Sequence, residues 1–242
     1  MKRIGFTLGL VVALFASQAN ATLIDRGSGL IYDDVLNITW LQDANYAKTS
    51  GYDADGLMTW DQATAWAANL VYGGYSDWRL PTVAPVNGIS FNDSYSPDGS
   101  TDFGYNNTSP NSEIAFMFYI NLGNLGYLTP SGALSGCYVN SSGTCLDNVG
   151  LFSSIEPYFY WSGTEVSHTP SPGGFFGNGD PGDSFAWTFV TIDGVQRADL
   201  KIAELNAWAV RDGDVVAAVP EPSTWALLLM GFGLLAGVTR RA

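Results

Sequence analysis

The fold is decided by the stretch Gly73-Gly74-Tyr75-Ser76-Asp77-Trp78-Arg79-Leu80-Pro81-Thr82. Within it, Trp78 and Leu80 alternate with charged residues at the two-residue period of a β-strand, so one face can bury a large ring. Arg79, on the opposite face, offers a planar fork of donors to a carboxylate or to backbone carbonyls. We expect Arg79 to be an internal clamp of the fold, with a ligand contact as the alternative.

Two helices are predicted, one on each side of this stretch. Thr59 and Gln62 have the three-residue spacing of a capping box, and the apolar residues that follow recur at helical spacing. The glycine pair at 73–74 is expected to end this first helix. Residues 112–122 have the same apolar period and predict the second helix.

Short apolar runs bounded by turn residues predict strands in the first and last parts of the chain. The predicted strands are 23–25, 29–33 and 38–41, in an antiparallel meander, and 152–155, 158–162, 184–191, 195–198 and 207–211. The Asp193-Gly194 pair indicates a hairpin between two of them. Residues 45–56, 81–110 and 123–150 are interpreted as loops, and loops of such length tend to be functional or poorly ordered.

Both ends of the chain have the composition of targeting segments. Residues 1–21 combine a positive start, an apolar run and a small-residue A-x-A ending, which is typical of a secretory signal peptide. Residues 223–239 carry no charge and are followed by Arg240 and Arg241, so we predict a single membrane-spanning helix with its arginines cytoplasmic. The domain between these ends is predicted to span residues 22–214.

The exported part of the chain is strongly acidic. Of the 23 acidic residues all but Glu221, and of the ten basic residues only six, fall between Thr22 and Val219, which gives a net charge of about −16. Such a charge disfavours nucleic acid and anionic lipid as partners. Neutral or cationic polymers and divalent cations stay compatible with it, as does a charge that serves solubility alone.

Catalytic sites are hard to draw from this sequence. His168 is the only histidine and no nucleophile-elbow pattern occurs, which disfavours a Ser-His-Asp triad and a common zinc site. A pair of carboxylates for glycoside cleavage is the catalytic alternative, because acidic residues are abundant. We predict that the protein has no catalytic residues. Cys137 and Cys145, with seven residues between them in a polar loop, predict a local disulfide in an oxidising compartment.

The long loops carry the candidate ligand-binding residues. Aromatic rings can stack on sugar faces while Asn or Asp side chains bind the hydroxyls. The candidates are Tyr95, Phe103, Tyr105, Phe175 and Phe176. Solvated loop acids and no cofactor are the default expectation, and calcium is the alternative, with candidate ligands Asp93, Asp98 and Asp102, or Asp180 and Asp183.

Three signatures occur in order along the chain. They are Asp77-Trp78-Arg79-Leu80-Pro81-Thr82, Tyr160-Trp161-Ser162-Gly163-Thr164 and Trp208-Ala209-Val210-Arg211, preceded by Gly29-Leu30-Ile31-Tyr32-Asp33 and Thr39-Trp40. Together they resemble the Lcl C-terminal domain family over roughly residues 23–212. The resemblance implies a C-type-lectin-like α+β fold, with two helices beside a twisted antiparallel sheet and long loops, in exported bacterial proteins whose founding adhesin is associated with glycan binding. The structural motif is carried by Trp78, Arg79, Leu80, Pro81, Trp161 and Arg211.

The segment 215–242 resembles a PEP-CTERM sorting signal. Val219-Pro220-Glu221-Pro222 stands directly before the predicted membrane helix and the terminal arginine pair. The resemblance implies export through the Sec machinery, transient anchoring in the inner membrane, processing near this motif by an exosortase, and delivery to the surface or biofilm matrix of a Gram-negative bacterium. The alternative for this segment is a plain tail anchor. Two prolines would hold Glu221 extended, as a protease substrate must be.

The sequence therefore predicts an exported, exosortase-sorted binding domain without catalytic activity, for which carbohydrate or exopolysaccharide is the expected ligand. A matrix-remodelling hydrolase and a passive structural component of the matrix are the alternatives.

Overall fold

The computed structural model describes residues 22–139, 143–166 and 184–215. The predicted signal peptide 1–21 and the predicted membrane helix lie outside the described residues. So do His168, Phe175, Phe176, Asp180, Asp183, Val219, Pro220, Glu221 and Pro222. Within the described part of the chain, no helix is both long and apolar enough to cross a bilayer.

Two β-sheets and a few short helices make up the fold, which confirms the predicted α+β class. The strands are β1 (Leu23–Gly27), β2 (Leu30–Asp33), β3 (Ile38–Leu41), β4 (Leu57–Met58), β5 (Tyr95–Ser96), β6 (Phe103–Gly104), β7 (Phe159–Glu165), β8 (Phe185–Val190), β9 (Val195–Leu200), β10 (Leu205–Asn206) and β11 (Val210–Asp212). The helices are α1 (Tyr46–Thr49), α2 (Trp60–Asn69) and α3 (Glu113–Phe116), which continues into a π-helical turn, Met117–Asn121. The finer assignment to a C-type-lectin-like fold stays a prediction.

The first sheet has the strand order β1-β2-β3-β11, and all its pairs are antiparallel. The predicted meander of the first three strands is therefore confirmed, and the last strand of the domain closes it from the other end of the sequence. The second sheet has the order β4-β10-β7-β8-β9-β6-β5. Its centre is the hairpin of β8 and β9, which turns at Asp193-Gly194 as predicted.

Two backbone hydrogen bonds and two ion pairs join the segment around Trp78 to β11. The backbone N–H of Arg79 donates to the carbonyl oxygen of Val210 and the N–H of Val210 donates back, both at 2.8 Å. On either side of this bridge, Asp77 accepts two bonds of 2.9 Å from Arg211, and Arg79 donates to Asp212 at 2.5 and 3.0 Å. Two bidentate or forked ion pairs thus fix the register of this crossing.

Arg79 also binds the buried carboxylate of Glu113 at the start of α3. Two parallel bonds of 2.8 Å join the guanidinium to the two carboxylate oxygens, and the N–H of Thr82 donates to the same carboxylate at 2.6 Å. Trp78 and Leu80, on the other face, are each 3% exposed. This is the arrangement that the clamp interpretation predicts, because one side chain ties β11, α3 and the crossing segment together.

Tryptophans fill the core between the sheets and the helices. The rings of Trp40 and Trp208 lie 4.7 Å apart, and Phe152 packs edge-on against Trp208 at 4.8 Å. The indole N–H of Trp208 donates to the carbonyl oxygen of Leu41 at 2.7 Å, and that of Trp161 donates to Met58 at 2.8 Å. Because their polar tips find backbone partners, the rings of Trp161 and Trp208 are buried with their donors satisfied, whereas the indole N–H of Trp40 makes no hydrogen bond.

The first of the two predicted helices is α2, and it has the predicted capping box, in which Thr59 and Gln62 bond each other reciprocally. It ends earlier than expected, at Asn69, and the glycine pair at 73–74 instead forms a tight turn closed by two 3.0 Å bonds between the backbones of Tyr72 and Tyr75. The second predicted helix is present over residues 113–121.

Four predictions of local structure were wrong. Residues 152–155 form no strand, because Phe152 turns into the tryptophan core and only Ser153 makes an isolated bridge. The supposed loops 45–56 and 81–110 contain α1 and the strands β5 and β6. Residues 207–209 are extended core residues between β10 and β11, which belong to different sheets. The strands β5 and β6 are two residues each, and α1 is a single turn, so these elements are too short to give a periodic signal.

Candidate functional site

A tyrosine-lined pocket of about 400 Å³ lies at the tip of the β8–β9 hairpin. Its lining consists of Tyr105, Tyr127, Tyr138 and Asp193. Three rings and one carboxylate come from four separate segments of the chain. We call this cavity the tyrosine pocket.

The rings of the tyrosine pocket form a continuous row. The ring centres of Tyr105 and Tyr127 are 6.4 Å apart and those of Tyr127 and Tyr138 are 5.2 Å apart, in tilted and edge-to-face arrangements. Tyr95 extends the row beyond the pocket, at 6.3 Å from Tyr105. Because Tyr95, Tyr127 and Tyr138 are each more than one third exposed, the row offers ring surface to a ligand.

Asp193 supplies the charge of the pocket. One carboxylate oxygen accepts the N–H of Val195 at 3.0 Å, which closes the hairpin turn, and the other accepts the Tyr105 hydroxyl at 3.3 Å. Burial raises the pKa of the Asp193 carboxyl above its ordinary value, although the hydrogen bonds from Val195 and Tyr105 oppose the rise. The same carboxylate can accept further hydrogen bonds from a ligand.

Burial and the charge of Asp193 both act on the pKa values of Tyr95, Tyr105 and Tyr138. Burial raises the pKa of Tyr95, Tyr105 and Tyr138, and the nearby charge of Asp193 raises each of them further. The phenols of Tyr95, Tyr105 and Tyr138 therefore stay neutral at physiological pH and keep a hydroxyl hydrogen to donate.

Tyr119 supports the floor of the pocket from the π-helical turn. Its hydroxyl donates to the carbonyl oxygen of Gly194 at 2.6 Å and accepts the N–H of Asn106 at 2.9 Å. Gly194 has a φ of +84°, and a Cβ placed there would lie 2.7 Å from the Tyr119 hydroxyl and 3.0 Å from the Cα of Gly126. Only glycine fits at this position, because both the backbone conformation and the close approach exclude a side chain.

The disulfide loop closes the other side of the pocket. Cys137 and Cys145 are joined, as predicted, and both are buried. The N–H of Cys145 donates to the carbonyl oxygen of Ile192 at 2.8 Å, and the N–H of Tyr127 donates to that of Asp193 at 2.7 Å. The loops that carry Tyr127 and Tyr138 are therefore both fastened to the hairpin that carries Asp193.

The predicted ligand-binding aromatics lie in different environments in the structure. Tyr105 lines the pocket and Tyr95 lies beside it, exposed over 52% of its surface. Phe103 was predicted as an exposed contact, and this was wrong: it is 7% exposed and packs with Trp187 and other residues of a second hydrophobic cluster. Its ring also packs edge-on against that of Tyr95, with 5.8 Å between the ring centres.

The structure does not gather the predicted calcium ligands. Among the described residues, no group of three or more His, Cys, Asp or Glu side chains forms a set that could hold a metal ion. Asp102 is 1% exposed and accepts the backbone N–H groups of Val86 and Asn92 at 2.7 and 2.6 Å. Asp98 lies in an exposed turn, where it accepts bonds from Ser100. Asp93 is 4% exposed.

Sequence reasoning missed Tyr127, Tyr138 and Asp193 as site residues. Tyr127 and Tyr138 stand in a stretch that gave no periodic signal, and Asp193 was interpreted only as a turn residue. The Asp-Gly signal and the cysteine pair did predict a hairpin turn and a local disulfide at these places. A search for aromatics next to such anchors would have found Tyr138.

The lining of the pocket combines apolar ring faces with groups that form hydrogen bonds. Its volume lies in the range of small-ligand sites, and its walls alternate apolar ring faces with hydroxyls and one carboxylate. Such walls can stack on the C–H face of a sugar ring while accepting and donating hydrogen bonds at its edge.

A model of the Lcl C-terminal domain matches residues 29–211, and a model of the PEP-CTERM protein-sorting motif matches residues 218–242. No curated protein and no solved structure matches the chain significantly. The sorting motif is a signal for exosortase processing, so it indicates export and a membrane-anchored precursor in a Gram-negative bacterium. Since the first match takes in nearly all of the described residues, the chain belongs to the Lcl C-terminal domain family.

Proposed function

We propose that this exported, exosortase-sorted protein is a non-catalytic binding module whose tyrosine pocket binds a carbohydrate of the extracellular matrix. The observation that carries the proposal is the row of three tyrosines around Asp193 in one rigid pocket. The implied C-type-lectin-like fold and the surface destination of the family are consistent with it.

Charge favours a neutral sugar. The exported part carries a net charge of about −16, which would repel sulfated or uronic-acid polymers. Asp193 would itself repel an anionic ligand, whereas it can accept hydrogen bonds from sugar hydroxyls. The ligand class is therefore a neutral oligosaccharide, bound by stacking and by hydrogen bonds.

The lining of the pocket supports binding rather than cleavage. Glycoside hydrolysis requires two carboxyl groups that face each other across the scissile bond. Asp193 is the one carboxylate among the described residues that line this pocket. A matrix-remodelling hydrolase would need a second acid there.

A glycan array with the full chain, kept in a detergent without a sugar headgroup, tests the proposal. We expect retained binding of neutral oligosaccharides, weakened about tenfold by Tyr127→Ala, because a lost ring contact of about 1.4 kcal/mol has this effect. Tyr52→Ala removes a ring that is 62% exposed and does not line the pocket, so it should bind like the wild type.

A reducing-sugar assay on the array ligands separates the alternatives. Turnover without retained binding would show a hydrolase and overturn the proposal. A domain that resists heat and protease but retains no glycan would indicate a passive structural component instead.

A further inference from the structure

The line of tyrosine rings is longer than the tyrosine pocket. Tyr105, Tyr127 and Tyr138 line the pocket, whereas Tyr95 lies outside it with about half of its surface exposed. The ring centres of Tyr95 and Tyr105 are 6.3 Å apart, which is similar to the 6.4 and 5.2 Å between the rings inside the pocket. A ligand that continues past the pocket therefore meets a fourth ring. We call the four rings the tyrosine row.

The four rings contact each other in one order only. Tyr95 contacts Tyr105, Tyr105 contacts Tyr127, and Tyr127 contacts Tyr138. Within the described part of the chain, no ring contact joins two members of the row that are not neighbours in this order. The row is therefore not closed on itself, and an open row suits a ligand that is itself a chain.

Neighbouring rings of the row are strongly tilted against each other. The angle between the ring planes is 87° for Tyr95 and Tyr105, 50° for Tyr105 and Tyr127, and 88° for Tyr127 and Tyr138. Two successive tilts leave between the outer rings at least the difference of the two angles. That difference is 37° for Tyr95 and Tyr127 and 38° for Tyr105 and Tyr138. No two rings among three consecutive members are therefore parallel.

These tilts determine the shape of chain that fits the row. A sugar ring stacks face to face on an aromatic ring. A ribbon whose units all lie in one plane can therefore stack on only one of any three consecutive rings of the row. A helical chain, whose units turn from one to the next, can present a face to each ring in succession.

The position of Tyr95 relative to Tyr105 is fixed before any ligand binds. β5 pairs with β6, with Tyr95 opposite Phe103. The N–H of Tyr105 donates to the carbonyl oxygen of Ser96 at 3.0 Å. Gly104 has a φ of +133°, and a Cβ there would collide with the same carbonyl oxygen, so only glycine permits this approach. A fixed row reduces the entropy that is lost on binding.

Asn106 joins the loop of Tyr95 to the loop of Tyr127. Its side-chain amide donates to the carbonyl oxygen of Pro97 at 2.6 Å and to that of Leu128 at 2.8 Å. Pro97 lies two residues after Tyr95, and Leu128 directly follows Tyr127. The ring outside the pocket is therefore held at a fixed place relative to a ring inside it.

We propose that the tyrosine row binds a neutral, helical glycan chain of three or more units, and that Tyr95 binds a unit outside the pocket. This inference rests on the proposed function of the tyrosine pocket, to which it adds the length and the shape of the ligand. A short sugar occupies the pocket, and the next unit of a longer chain stacks on Tyr95.

The test is a calorimetric titration of the full chain, in a detergent without a sugar headgroup, with sugars of different length and shape. The probes are maltohexaose and laminarihexaose, which form helical chains, cellohexaose, which forms a flat ribbon, and the disaccharide of each series. We expect a helical hexaose to bind at least about tenfold more tightly than its own disaccharide and than cellohexaose, because it gains a further ring contact.

Variants of the row separate its two parts. Tyr95→Ala should weaken the helical hexaose about tenfold and leave its disaccharide unchanged, because it removes only the ring outside the pocket. Unchanged disaccharide binding also shows that this variant is folded. Tyr95→Phe keeps the ring and should bind the hexaose like the wild type. Tyr127→Ala should weaken both sugars, and Tyr52→Ala, which changes an exposed ring outside the row, should weaken neither.

Three results would overturn the inference while the pocket keeps its proposed function. These are a cellohexaose affinity that equals or exceeds that of the helical hexaoses, a helical hexaose that binds no more tightly than its disaccharide, and equal losses for the two sugars in Tyr95→Ala. A lack of binding to all six probes would overturn it as well. The glycan array then shows whether the proposed function also fails, since retention of another neutral glycan leaves that function standing.

Discussion

In the tyrosine pocket, burial disfavours the ionised form of the Asp193 carboxyl. Since burial raises the pKa of its carboxyl, the folded protein holds the proton more tightly than the unfolded chain. The stability that Asp193 contributes is thus fully present below the unfolded-state pKa of about 3.9 and is lost as the pH rises through the folded-state pKa.

Asp193→Asn should remove this pH dependence. The amide oxygen can still accept the N–H of Val195, but the side chain no longer ionises. We expect the variant to gain stability relative to the wild type as the pH rises from about 4 to 7, and to gain none at about pH 3. Urea denaturation at a series of pH values measures the difference, and a difference that does not change with pH would contradict the assignment.

Arg79→Lys tests the clamp. A lysine cannot make the paired bonds to Glu113. The carboxylate, whose side chain is 11% exposed, therefore loses part of the hydrogen bonding that offsets the cost of its burial. We expect a loss of about 2–4 kcal/mol in the free energy of unfolding. Arg26→Lys is the matched control: Arg26 also makes two bonds to one carboxylate, that of Asp214, but this carboxylate is more exposed than that of Glu113, so the pair should contribute under about 1 kcal/mol. Equal losses would show that Arg79 is no special clamp.

At the scale of elements, the disulfide loop is the part of the site with the clearest covalent support. Cys137 and Cys145 are eight residues apart. A disulfide that closes a loop of that length stabilises the folded state by about 2–3 kcal/mol, because it lowers the conformational entropy of the unfolded chain. The double variant Cys137→Ala and Cys145→Ala should lower the unfolding free energy by this amount.

The same double variant should also weaken glycan binding in the tyrosine pocket, since Tyr138 follows Cys137 directly. Comparing the array signals of the double variant and the wild type at a temperature where both are folded checks this effect. Unchanged binding would mean that Tyr138 is positioned without the disulfide.

Elements with a local cause were predictable from the sequence, and elements with a distant cause were not. The capping box at Thr59 and the Asp193-Gly194 turn depend on residues three or fewer apart. By contrast, β4 and β10 are two residues each and exist because Leu205 pairs with Met58. No period or turn signal can indicate a pairing over such a distance.

At the scale of the whole molecule, the fold positions the site through contacts between distant segments. Tyr105, Tyr127, Tyr138 and Asp193 meet because the second sheet, the π-helical turn and the disulfide loop converge on one hairpin. Aromatic loop residues could be proposed from the sequence, but their convergence could not. Phe103 illustrates the limit, since its ring is buried in a cluster with residues distant in sequence, such as Trp187.

The most direct test of the central claim is to map the binding surface by amide chemical shifts. The full chain is titrated with the neutral oligosaccharide that it retains most strongly on the array. We predict that the largest shifts occur at Tyr127, Asp193 and Gly194, around the tyrosine pocket. Shifts confined to the amides of other surfaces, or no shifts at saturating sugar, would contradict the account.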